Sequence, residues 1–182
     1  KIPVITCDGF EADDVMGSLA VKAANEGFEV FVATPDKDAA QLVRENIKLY
    51  RPSHSGETAV IYDEEAVCAK WAISTPRKMI DYLALAGDSS DNIPGVKGVG
   101  EKTAADLLSR YADIEDILAN AHDIKGKLGQ KLMEGAEDAR MSKFLTTIRI
   151  DVPVEPNWDE YVLGEPDKEK LSDVCKKFEL NR

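Results

Sequence analysis

Apolar and polar residues follow two different rhythms along this chain, and the change of rhythm divides it. Residues 2–6, IPVIT, are an apolar and largely β-branched run that predicts a short buried strand. The segment CDGF then turns the chain. From Glu11 to about Gly27, Val15, Met16, Leu19, Ala20 and Ala23 recur at helical spacing, with the glycine as a natural stop. FEVFVAT, residues 28–34, predicts a second strand, AAQLVREN a helix and IKLYRP a third strand. A weaker strand signal in SGETAVIYDEEAV leads into another helix, whose first turn carries the solvated acids Asp63, Glu64 and Glu65. Strand, helix, strand, helix, strand with short turns is the pattern of a parallel α/β sheet.

Beyond Thr75-Pro76 the period becomes helical and stays so to about residue 148, through PRKMIDYLALAG, EKTAADLLSRY, DIEDILANA and IKGKLGQKLMEG. The stretch from 151, DVPVEPNWDEYVLGEPDKEK, is rich in proline and acid and reads as an extended connector before a last helix near 168–178. The expected division is therefore an α/β part over 1–73, a helical part over 74–150, and a connector with a final helix over 151–182. Trp71 is expected in the core. His54, His122 and Trp158 receive no assignment.

At 182 residues, 43% of them hydrophobic and 31% charged, the chain can bury one core or two small ones. No apolar run is long enough to span a membrane, and KIPVIT does not make a signal peptide. The opening Lys1 and strand-like run suggest a segment of a longer protein. Cys7, Cys68 and Cys175 are far apart with no CxxC spacing, which fits a reducing, cytoplasmic setting and disfavours a zinc knuckle. Two isolated histidines disfavour a histidine metal site or a nucleophile–histidine pair. The net charge of −11 argues against nucleic acid, unless many of the acids hold divalent cations.

The acids do group. Glu11, Asp13 and Asp14 crowd the start of the first helix, where one acid would serve the dipole and three repel one another. Asp36 and Asp38 directly follow FEVFVAT, and ligands of parallel α/β sheets sit at the carboxyl ends of strands. Both groups are thus expected at one rim. A third group, Asp88 and Asp91 in GDSSDNIPG, lies where a helix meets a loop; a simple capping loop is the alternative reading. GVKGVGEKTA follows, with Gly95, Gly98 and Gly100 among small apolar residues and a helix starting near Glu101. No strand precedes these glycines and GxxxxGK[ST] is absent, which disfavours a dinucleotide fingerprint and a P-loop. A helix–hairpin–helix that grips a nucleic-acid backbone through glycine N–H groups, Lys97 and Lys102 remains, against the plainer reading of a glycine-rich connector. Clustered carboxylates without histidine or cysteine suit Mg²⁺ or Mn²⁺, and two such ions about 4 Å apart can cleave phosphodiesters.

GFEADD, TPDKD and GDSSDNIPGVKGVGEKTA together resemble the motifs of the 5′-to-3′ exonuclease domain of bacterial DNA polymerase I, within the flap endonuclease superfamily, over roughly residues 1–150. The tail resembles the connector toward the polymerase. The resemblance implies an α/β fold with a PIN-like core, a helical domain with a helix–hairpin–helix, and cleavage of DNA with a 5′ end or flap in replication and repair, including removal of RNA primers. It implies that Glu11 and Asp13 help hold a first metal, that Asp36, Asp38 and Asp88 hold a second and carry catalysis, and that Asp14 and Asp91 are outer or water-mediated ligands. Gly95, Lys97, Gly98, Gly100, Lys102 and Thr103 would hold the duplex, with a K⁺ ion at the hairpin carbonyls. It also implies covalently linked polymerase domains and a bacterial, nucleoid-associated setting. The family's N-terminal segment, with a strand and further ligands, is not in this sequence. Its absence leaves open whether the chain cuts alone and points to a dimer through an exposed sheet edge. The alternative functional reading is a non-catalytic module that binds duplex DNA.

Overall fold

The computed structural model describes residues 2–52 and 59–180. Helix α1 (Ala12–Asn25) runs over Val15 and Ala20, which are buried, and ends at Gly27 with φ +91°. Strand β1 (Val30–Ala33) follows and pairs in parallel with β2 (Ile47–Arg51), Val30 opposite Ile47 and Val32 opposite Leu49. Val32, Ile47 and Leu49 point into the core, so the period of two in these strands is the burial pattern of one sheet face.

Three expectations fail here. Residues 2–6 form no strand: Ile2 and Val4 are exposed, and Ile5 packs beside Val15, Val152 and Val154. A β-branched run becomes a strand only where a neighbour offers its ladder. The segment read as a helix, AAQLVREN, forms only a 3₁₀ turn (Asp38–Leu42), because Val43 turns extended and Arg44 bridges to Ile47 at once. The sheet is also mixed, since β3 (Val60–Tyr62) joins β2 antiparallel. His54 and the opening of the SGETAVIY segment lie outside the described residues.

Helix α2 (Glu64–Trp71) is capped by Asp63, whose carboxylate accepts the Ala66 N–H. Trp71 is half-buried and packs against Tyr62, as expected of a core aromatic. Helices α3 (Met79–Ala86), α4 (Glu101–Arg110), α5 (Ile114–Ala119), α6 (Lys127–Glu134) and α7 (Ala136–Thr146) then enclose a continuous apolar core that includes Met79, Leu83, Leu107, Ile117 and Leu132. That core is continuous with the sheet's buried face, so the α/β and helical parts share one interior.

The segment read as a connector is in part a strap. Residues 146–154 cross α1: Arg149 N–H donates to Asp14, Val152 N–H to Ser18 Oγ, and Lys22 Nζ to the Val154 carbonyl. Gly17 leaves no room for a Cβ there, which would lie 2.8 Å from Ile148 Cγ2. Trp158 continues the strap, donating to Glu26 (2.6 Å) and stacking at a tilt on Phe28. Helix α8 (Lys168–Lys177) follows and is largely exposed.

Candidate metal centre and hairpin

Three separate elements deliver the acids. The N-terminus of α1 carries Glu11, Asp13 and Asp14, the turn after β1 carries Asp36 and Asp38, and the loop after α3 carries Asp88 and Asp91. Glu11, Asp13, Asp14, Asp36, Asp38 and Asp91 line one cavity of about 320 Å³, together with Ile93 and residues 145–148. Six of the seven sequence-predicted acids are thus brought together, though the strand expected to aim the first group does not form; Asp88 lines the adjoining cavity instead, which shares Asp36 and Asp91 with the first.

Local turns set each carboxylate. Asp36 Oδ1 accepts the Asp38 N–H at 2.9 Å, and Asp88 Oδ1 accepts the Ser90 N–H at 2.9 Å, two turns in which the aspartate folds its own backbone. The Asp88 and Ile93 backbones exchange both hydrogen bonds, and Asn92 at φ +57° closes the loop between them. Asp14 also serves the fold: its two oxygens accept from the Arg149 and Glu11 amides while the residue lines the cavity.

The cavity is short of positive charge. Burial and then the charges of Asp36, Asp88 and Asp91 push Asp38 up to about 7. Burial, Asp36 and the other acids of α1 raise Asp13, and burial with Asp88 and Asp36 raises Asp91. Asp38 Oδ1 is buried without a hydrogen-bond partner. Asp88 is the exception. Burial alone would raise it, but the Lys37 ammonium, 2.6 Å from its Oδ2, and the Ser90 amide hold it below the ordinary carboxylate range. An all-carboxylate set with mutual repulsion and an unpartnered buried oxygen fits hard divalent cations. Among the described residues, no three such side chains stand tight enough to hold an ion as placed.

The hairpin is anchored by two valines. Val96 and Val99 are buried, while Lys97, Gly98 and Gly100 between and beside them are exposed. Gly98 at φ +79° and the extended Gly100 turn the chain into α4, with Lys102 exposed and Thr103 half-buried on its first turn. Gly95 departs from its expected role. It is buried at φ +59°, its N–H is given to Ser142 Oγ at 3.0 Å, and it packs directly on Gly87. It closes the loop and is not available to a duplex.

Sequence reasoning missed two lysines. Lys37 stood between two noticed acids and carried no signal of its own. Lys131, on α6, donates to the Gly98 carbonyl at 3.1 Å and adds a third cation to Lys97 and Lys102. Only the fold brings it to the hairpin.

Comparison with known proteins gives two matches. Residues 1–72 match the model of the 5′-3′ exonuclease N-terminal resolvase-like domain, and residues 74–169 that of the 5′-3′ exonuclease C-terminal SAM fold. DNA polymerase I of Bacillus caldotenax is 40% identical over 98% of this chain, which corresponds to 20% of that protein. A 5′-3′ exonuclease of Aquifex aeolicus is 35% identical over 98% of the chain and 59% of its own length. Among solved structures, the T5 5′-exonuclease with zinc bound superposes with a TM-score of 0.68 at 25% identity, over 79% of this chain and 52% of that one. The chain therefore spans about a fifth of its polymerase relatives and 59% of the shorter exonuclease.

Proposed function

The chain belongs to the 5′-3′ exonuclease family, and from that membership we propose that it carries the metal-dependent centre of a structure-specific 5′ nuclease, the exonuclease and flap endonuclease part of a bacterial DNA polymerase I. The observation that carries this reading is the convergence of three acid groups on one cavity, with one of them joined by a single loop to a backbone-presenting hairpin.

Glu11 and Asp13 would hold a first divalent ion, and Asp36, Asp38 and Asp88 a second, with Asp14 and Asp91 acting through water. Such ions, Mg²⁺ or Mn²⁺, activate a water and neutralise the leaving oxygen. The chain's own residues do the rest. The Asp36 and Asp88 turns preset two carboxylates, and Gly98, Gly100, Lys97 and Lys102 meet the duplex backbone on its sugar–phosphate side, without reading bases. Domains follow the division 1–73, 74–150 and 151–182. A K⁺ ion at the hairpin carbonyls would share them with the Lys131 ammonium. The substrates are DNA with a 5′ end or flap and RNA primer–DNA hybrids, in a bacterial cytoplasmic, nucleoid-associated setting. No helix among the described residues is long and apolar enough to cross a membrane. The outer edge of β1 pairs with no strand among the described residues and is where a second copy would add.

The test is cleavage of a 5′-flap DNA in Mg²⁺ or Mn²⁺, by this chain and by the chain within a full-length relative. Asp36→Ala should lower the cleavage rate by on the order of a thousandfold or more while leaving duplex affinity within about twofold. An unchanged rate in Asp36→Ala would sink the two-metal assignment.

A further inference from the structure

We propose that Lys37 is a resident counter-cation at the edge of the acid cavity, holding Asp88 while no divalent ion is present and yielding it when one arrives. This rests on the nuclease reading above. Lys37 lies between Asp36 and Asp38 in sequence, yet its ammonium reaches across to the loop after α3 and stands 2.6 Å from Asp88 Oδ2. The Asp88 side chain is only 5% exposed, and its other oxygen is taken by the Ser90 amide. Asp88 therefore enters any metal site already paired. The acids that line the cavity beside it differ: Glu11, Asp13, Asp36, Asp38 and Asp91 form no ion pair with a lysine or arginine among the described residues.

A buried carboxylate stripped of its only cation is strongly destabilising, so Asp88 can part from Lys37 only in exchange for another positive charge. A divalent ion meets that condition and brings one charge more, which offsets the repulsion among Asp36, Asp38 and Asp91. The geometry leaves room for the exchange. A second cavity, about 390 Å³, is lined by both members of the pair, Lys37 and Asp88, and by Asp36 and Asp91, which also line the first, so a cation can reach Asp88 and the displaced ammonium can turn into the same space. The lysine and the ion are competitors for one carboxylate. The metal-free site is thereby kept folded at the expense of affinity.

Mn²⁺ binding to the chain, followed by calorimetry and by the loss of the free-ion paramagnetic signal, tests this with Lys37→Met and Lys37→Arg. Lys37→Met should bind Mn²⁺ on the order of tenfold more tightly than the wild type, since an opposing charge a few ångströms away is removed. It should melt earlier in chelator and recover wild-type melting at saturating Mn²⁺. Lys37→Arg keeps the charge and should bind no more tightly than wild type. A lysine with a merely structural role predicts lower melting in both conditions and no gain in affinity, and that result overturns the exchange. A wild-type measurement covers the case in which Lys37→Met does not fold in chelator. The Lys37 ε-methylene resonance should move on titration with Mg²⁺, and an unmoved resonance at saturation overturns the exchange. Absence of Mn²⁺ binding in every variant removes the metal reading itself, whereas binding that ignores Lys37 removes only this inference.

Discussion

The acid cavity and the hairpin share one loop, residues 87–100, and are held together by opposite means. Around the cavity the charges are unbalanced: several carboxylates face one space, and among the described residues the nearby lysine, Lys37, pairs with Asp88 at its edge. In the hairpin the charges are exposed and the packing is tight. Gly95 lies so close to Gly87 that a Cβ on it would stand 2.4 Å from the Gly87 nitrogen, and Val96 and Val99 fill the core beneath. One end of the loop stores electrostatic strain that a bound cation relieves. The other end is saturated by contact and has nothing to gain from a ligand except through its exposed face. Substitutions should therefore act with opposite sign at the two ends.

The largest effect belongs to the tight end. Gly95→Ala forces a side chain into backbone at a left-handed φ and should cost on the order of 3 kcal/mol, lowering Tm by about 6–12 °C. Gly100→Ala is its control: nothing lies within 4 Å of a Cβ there, and melting should stay within about 2 °C of wild type. Equal losses at Gly95 and Gly100 would erase the contrast between contact and exposure within the hairpin.

A smaller effect of opposite sign belongs to the cavity. Asp38 is pushed up to about 7 by burial and by Asp36, so its ionised form is disfavoured in the folded chain. Its contribution to stability is therefore complete below the unfolded value near 4 and is lost as pH rises through about 7. In chelator at pH 8, Asp38→Asn should raise Tm by about 2–4 °C, flatten the pH dependence between about 4 and 7, and lose most of the stabilisation that Mg²⁺ gives the wild type. Calorimetric melting with and without Mg²⁺ reads all three. A lower Tm for Asp38→Asn in chelator would show that the cavity is not strained.

The smallest effect sharpens the exposed face. Lys97→Ala and Lys102→Ala should leave Tm within about 1 °C, weaken duplex binding equally across sequences, and reduce the slope of log affinity against log salt by about one unit each. Fluorescence anisotropy over a salt series measures it. A loss confined to one sequence would mean base contacts in place of backbone contacts.

Much of the site was legible because its chemistry is carried by residue type. Acids with no histidine or cysteine nearby, and glycines flanked by lysines, announce hard cations and phosphate before any fold is known. Helices α1, α3 and α4 were legible from their apolar spacing, and β1 and β2 from their buried alternation. What stayed hidden depends on partners distant in sequence. IPVIT has the composition of a strand and no ladder to join. AAQLVREN has helical spacing over too few residues before Val43 extends. β3 joins β2 antiparallel, which its own composition does not announce, and the proximity of Lys37 to Asp88 and of Lys131 to Gly98 is decided by how distant elements pack. Gly95 looked like its neighbours Gly98 and Gly100, and only the close approach of Gly87 separates their roles.

The strap over α1 bears on the order in which the molecule is assembled. Asp14 and Ser18 find their partners 131–135 residues later, at Arg149 and Val152. During synthesis the helix that carries Glu11 and Asp13 leaves the ribosome long before the segment that seats it. Its final docking must close a loop of 131–135 residues, an entropic cost that local helices such as α4 and α5 do not bear. The helical part can condense early on its local contacts, whereas the acid rim is completed late, when the strap is laid across α1. Ordering the most mutually repulsive charges last leaves a partly made chain without a formed site that could capture a cation or a nucleic acid.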